Sequence, residues 1–140
     1  MKERDLHITV VALLDVYAKP DLLWHHPANG ENRNIVTAVR LKKMGVRAGT
    51  PDLCLTLPNG RSAFMEFKGS KGRLSPAQIV FRDNCHKIGA PYALVTDPDD
   101  AMTILAEWGA LLPVAWRAHQ PRGQRNEPSV DAALRRGLSR

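Results

Sequence analysis

Residues 51–68 read PDLCLTLPNGRSAFMEFK, and the turn in their middle decides how the chain folds. Two strand-like runs, 52–57 and 62–68, flank Pro58-Asn59-Gly60-Arg61. A two-residue turn on Asn59-Gly60 would pair Pro58 with Arg61 and Asp52 with Phe67. That register asks Pro58 for an N–H it lacks. It also sends Asp52 and Glu66 to opposite faces, because side chains alternate along a strand. A type I turn on Pro58 and Asn59, with Gly60 left-handed, suits each residue better. It pairs Leu57 with Arg61, and therefore Asp52 with Glu66. One face then carries Asp52, Glu66 and Lys68, together with Cys54 and Phe64. The other carries Leu53, Leu55, Leu57, Ala63, Met65 and Phe67. A slip of one residue would mix the two sets.

Two carboxylates on one face can hold a hard divalent cation through oxygen. A lysine beside them can stabilise an attacking water or the charge that develops on a phosphate. This is the minimal kit for metal-dependent cleavage of a phosphodiester. The face is expected to be exposed, so that alanine at Asp52, Glu66 or Lys68 would cost little stability.

Outward from the hairpin, residues 3–18 read as a helix with Leu6, Val10, Leu13, Leu14 and Tyr17 on one face, ended by Lys19-Pro20-Asp21. Residues 22–26 read as a short strand and 28–34 as a polar loop. A second helix covers 35–44 and is closed by Gly45. After the hairpin, Ser75 is an N-cap, Pro76 stands at N1, and Gln78 at N3 completes a capping box. That helix runs to Gly89, with Ala77, Phe81, Cys85 and Ile88 at helical spacing. A strand follows over 92–96. A last helix starts at Asp97-Pro98-Asp99-Asp100 and stops at Gly109. Helix, strand, hairpin pair, helix and strand in that order make an α/β fold with a mixed sheet flanked by helices.

The chain has 140 residues and 44% hydrophobic content, which fits one soluble domain with a real core. No run is long and apolar enough for a membrane span. Two cysteines, Cys54 and Cys85, give neither a disulfide framework nor zinc spacing, so a reducing cytoplasm is expected. Net charge is +6, and its placement matters more than its size. Between Arg33 and Arg73 stand nine Lys or Arg, and Asp52 and Glu66 are the only acids there. A polyanion would be drawn to this region. From Arg117 onward six Arg face two acids, Glu127 and Asp131, a local excess of 6 − 2 = +4 in a segment expected to be loosely ordered.

Several residues have plainer readings. Gln78 serves the capping box whatever else it does. His25 and His26 read as strand or loop residues, since no carboxylate stands at ligand spacing in the sequence. Lys42 and Lys43 read as a solvated helix face. Trp24, Trp108 and Trp116 read as packing residues, and the two cysteines as inert. Lys71, Gly72 and Arg73 follow Lys68 closely, which favours phosphate contact there.

Gly49-Thr50-Pro51-Asp52, then Glu66-Phe67-Lys68, then Leu74-Ser75-Pro76-Ala77-Gln78 resemble the PD-(D/E)XK nuclease superfamily, and within it the VRR-NUC branch. His26-Pro27-Ala28-Asn29-Gly30 followed by Arg33 resembles that branch's upstream loop. The resemblance spans residues 3–109 or so, with residues 1–116 as the nuclease domain and 117–140 as a basic tail. It implies a restriction-endonuclease-like αβββαβ core. Asp52, Glu66 and the Phe67 carbonyl would hold Mg2+, with Mn2+ as a substitute, and Glu3 would be a further acidic ligand. At the position where the family usually has Gln after that acid, this chain has His7. Lys68 and Gln78 would complete the catalytic set. Asn29, Arg33, Arg47, Lys71 and Arg73 are the candidate DNA contacts. The implied activity is structure-selective DNA cleavage in repair, by a homodimer on branched or four-way DNA, in the nucleoid or a phage-infected cell. A non-catalytic DNA-binding module, a flap nuclease and a restriction-type enzyme are the alternatives.

Overall fold

The computed structural model describes residues 1–28 and 34–113. Its elements are α1 (Glu3–Tyr17), β1 (Leu23–His25), α2 (Ile35–Lys43), β2 (Leu53–Thr56), β3 (Ser62–Phe67), α3 (Pro76–Ile88), β4 (Tyr92–Val95) and α4 (Pro98–Glu107). The strands form one sheet in the order β1-β2-β3-β4. The first two pairings are antiparallel and β3–β4 is parallel. This is the α/β fold with a mixed sheet that the sequence implies.

The hairpin takes the three-residue loop. Leu53 pairs with Met65 and Thr56 with Ser62. Leu57 receives its partner from Arg61, its N–H donating to the Arg61 carbonyl at 2.9 Å. Gly60 has φ +83° and donates to the Leu57 carbonyl. A residue with a Cβ would be strained there.

One face of the sheet is the apolar one expected. Leu53, Leu55, Leu57, Ala63, Met65 and Phe67 join Leu6, Val10 and Leu14 of α1 and Ala101, Met102 and Leu105 of α4 in a single core. Trp24 and Trp108 pack against it. On the other face α3 lies against β4, and the Phe64 and Phe81 rings meet edge to face at 5.0 Å. Cys85 is buried beneath this helix, whereas Ile88, expected on the same side, is the last helical residue and is exposed. The second helix contributes no buried residue, and Ile35, Val36 and Val39 are exposed along it.

The caps set where the helices begin. Ser75 accepts from the Gln78 N–H, and the Gln78 Oε1 accepts from the Ser75 N–H, the two halves of a capping box. Asp97 accepts from the N–H groups of Asp99 and Asp100 at the start of α4. No helix among the described residues is long and apolar enough to cross a membrane. Trp116 and the basic tail 117–140 lie outside the described residues.

Candidate metal centre

Pro51 ends the hairpin ladder and so creates the site. The next hydrogen-bonded pair after Leu53–Met65 would be Pro51 with Phe67. Pro51 has no N–H to give, so the Phe67 carbonyl receives no ladder donor. The Phe67 N–H is instead taken by Asp52, donating to Oδ2 at 2.9 Å. Antiparallel geometry directs the N–H and carbonyl of one residue to the same side. The Phe67 carbonyl is therefore aimed to the side where Asp52 sits.

Glu66 lies on the same face as Asp52, as the register requires, but it is not exposed. It is 1% accessible, and Lys68 is 9% accessible. The expectation of an exposed chemical face is thus corrected. Strand alternation tells which face a residue takes, not what covers it. Here the N-terminal turn of α3 lies across Glu66, and the first turn of α1 closes on the end of β3. Gln78 donates from Nε2 to Glu66 Oε1 at 2.6 Å. Lys68 Nζ stands 3.0 Å from the same oxygen and 3.7 Å from Glu3 Oε1. Glu66 Oε2 is buried and has no hydrogen-bond partner.

That orphaned oxygen is costly unless something electropositive meets it. Glu3, Asp52 and Glu66 each bring a carboxylate oxygen into one group within 4.8 Å. An oxygen-only donor set of this kind suits a hard divalent cation, so the residues fit the metal that the resemblance implies. Burial, then the charge of Asp52, push the Glu66 carboxyl up to about 7, against the opposing effect of Lys68. Burial would lower the Lys68 ammonium, but its hydrogen bond to Glu66 and the charges of Glu66, Glu3 and Asp52 outweigh that and hold it above its ordinary value.

The group opens on a cleft of ≈ 820 Å³ lined by Glu3, Arg4, His7, His26, Thr50, Asp52, Glu66, Ser75 and Gln78, among others. Gly49 also lines it and positions two of its walls. Its φ is +80°, and a Cβ there would sit 2.4 Å from the Ala77 carbonyl oxygen and 2.9 Å from the Gln78 nitrogen. Only glycine lets the chain before Asp52 pass this close to the start of α3.

Arg47, Lys71 and Arg73 are exposed on the loops before β2 and before α3, and none of them lines the cleft. Asn29 and Arg33 lie outside the described residues. Three residues of the cleft were not legible as such. Arg4 carries no local motif. His7 was noted only as a departure from the family, and His26 was read as a strand or loop residue. His26 Nδ1 stands 2.6 Å from the Asp52 carbonyl oxygen, and the His7 and His26 rings meet edge to face at 4.5 Å. Burial holds the His7 imidazole below its ordinary value, against the pull of Asp52. Residues so distant in sequence give no spacing signal.

The family model for the VRR-NUC domain matches residues 13–96. The chain belongs to the VRR-NUC family. A solved structure described as a VRR_NUC domain protein is similar to it, with a TM-score of 0.62 and 19% sequence identity, over 77% of this chain and 88% of that one. No curated protein matches. A VRR-NUC domain is a nuclease-type domain, which suggests DNA as the substrate, and this one carries an acidic cluster able to bind a metal. The family match begins after Glu3 and His7, so their places in the cleft rest on the geometry.

Proposed function

We propose that this cleft is the active site of a metal-dependent DNA endonuclease that uses Mg2+, with Mn2+ as a substitute. The observation that carries the reading is the buried, partnerless Glu66 Oε2 beside Asp52 and Glu3. Asp52, Glu66, Glu3 and the Phe67 carbonyl would hold the cation. When bound, the cation supplies charge against a non-bridging phosphate oxygen and lowers the cost of hydroxide. Lys68 adds a fixed positive charge beside the attacking oxygen and the phosphate that receives it. Gln78 fixes the Glu66 carboxylate by its 2.6 Å bond, so the ligand does not have to be ordered at each turnover.

Arg47, Lys71 and Arg73, with Asn29 and Arg33, would bind the phosphates that flank the scissile bond. Residues 1–116 would form the nuclease domain, and the basic segment 117–140 would add phosphate contacts. Branched or four-way DNA and a homodimer with two sites are the substrate and assembly that the family resemblance favours. The test is a cleavage assay on duplex, flap, single-strand and four-way DNA, with Mg2+ and with chelator. Binding without cleavage of any of these would leave a non-catalytic DNA-binding module.

A further inference from the structure

Beside the oxygen cluster, His7, His26 and Asp52 bring a ligand atom each into a second group within 4.8 Å. We propose that these three form a second cation site, built on nitrogen, that takes a divalent transition ion such as Co2+ or Zn2+ in preference to Mg2+. It shares Asp52 with the oxygen cluster.

The first argument is the state of His26. Its Nδ1 lies 2.6 Å from the Asp52 carbonyl oxygen. A carbonyl only accepts, so Nδ1 carries the proton and donates. The lone pair is then on Nε2. A histidine that ligates a metal commonly has this arrangement, with the other ring N–H held by a carbonyl. The second argument is restraint of His7. Its ring packs tilted on Phe67 at 4.9 Å and edge-on to His26 at 4.5 Å. Neither ring has to be ordered from a free state to bind. The third is access, because both rings and Asp52 line the open cleft.

Donor type then sets the ion. Imidazole favours Zn2+, Co2+ and related ions, whereas Mg2+ prefers oxygen and water. Two ligands of one tetrahedral ion at ~2.1 Å stand about 3.4 Å apart. The three ligand atoms lie within 4.8 Å of one another, so the group closes on an ion through side-chain shifts of at most about 1.4 Å. Two neighbouring sites of unlike donor chemistry would let the cleft distinguish Mg2+ from a transition ion. That consequence for cleavage rests on the nuclease reading; the binding itself does not.

The test is Co2+ and Mg2+ titration of the untagged full chain, followed by visible absorption and calorimetry, for wild type, His7→Phe, His26→Asn and Glu3→Gln. Phenylalanine keeps a ring against Phe67, and the asparagine amide keeps a donor for the Asp52 carbonyl. Each histidine variant is expected to lose at least about tenfold in Co2+ affinity and to keep its Mg2+ affinity. Glu3→Gln is expected to do the reverse. Unchanged Co2+ affinity in both histidine variants, or parallel loss of Co2+ and Mg2+, overturns the proposal. Should a variant fail to fold, the wild-type Co2+ complex formed in excess Mg2+, which fills the oxygen cluster, decides. Nitrogen hyperfine coupling from imidazole is expected in its pulsed paramagnetic resonance spectrum, and absence of that coupling overturns the proposal even if the domain cleaves DNA.

Discussion

Gln78 works in two directions at once: its Oε1 accepts the Ser75 N–H at 2.8 Å while its Nε2 donates to Glu66 Oε1 at 2.6 Å. One side chain thus ties the start of α3 to the buried carboxylate of β3. The cap and the site can be separated by substitution. Gln78→Glu keeps an acceptor for Ser75 but replaces the donor to Glu66 with a second carboxylate. It is expected to fold with a stability change within about 1 kcal/mol of the cap's own worth, yet to lose at least about tenfold in cleavage rate. Gln78→Ala is expected to lose both. Thermal denaturation and single-turnover cleavage separate the two effects, and full activity in Gln78→Glu would remove Gln78 from the site.

Burial changes what substitution of Glu66 should do. An exposed carboxylate would be replaced at little cost in stability, but Glu66 is 1% accessible and one of its oxygens is orphaned. Glu66→Gln keeps the shape and removes the charge. The metal-free variant is expected to be as stable as wild type or more so at pH 8, because burial disfavours the carboxylate more than Lys68 favours it and the amide oxygen can still accept from Lys68. Its Mn2+ affinity and cleavage should fall sharply. Glu66→Ala is expected to be destabilised by roughly 1–3 kcal/mol, since Gln78 Nε2 and Lys68 lose their partner. Chemical denaturation checks the order of the three proteins.

The same residue gives a pH dependence with a definite sign. Its carboxyl is raised from 4.5 to about 7 in the folded, metal-free protein. The folded state therefore holds a proton that the unfolded state has released over this interval. Glu66 contributes stability fully below pH 4.5 and loses it as pH rises to about 7. A cation reverses the preference, so its binding should expel a proton near pH 6. Calorimetry in two buffers of different ionisation enthalpy should find about one proton released per ion at that pH. No buffer dependence would mean that Glu66 is already ionised or is not a ligand.

The sequence disclosed the hairpin register because Pro58 lacks the N–H that the competing turn needs, while Gly60 fits the left-handed position of the longer loop. It disclosed the start of α3 because a capping box is a local device. It did not disclose the burial of Glu66. That depends on where α1 and α3 cross the end of the sheet, and helix periodicity carries no such information. Nor did it disclose His26 as a neighbour of Asp52, which a hydrogen bond to a carbonyl 26 residues away establishes. Gly49 was visible only as part of a motif; its reason is a close approach between two segments.

That close approach supports the last prediction. Gly49 and Gly60 both have positive φ, but they differ in space. A Cβ at Gly60 meets nothing within 4 Å, whereas one at Gly49 would overlap the Ala77 carbonyl. Gly60→Ala should cost only the backbone strain, about 1 kcal/mol, and leave the register intact. Gly49→Ala pays the same strain and must also push back the first turn of α3, which carries Gln78. It should lose roughly 2 kcal/mol or more. Its cleavage rate should fall even at a temperature where the variant is fully folded, because Glu66 then lacks its donor. Denaturation midpoints and rates for the two alanine variants provide the comparison. Equal effects in both would mean that the Gly49 contact does not position the site.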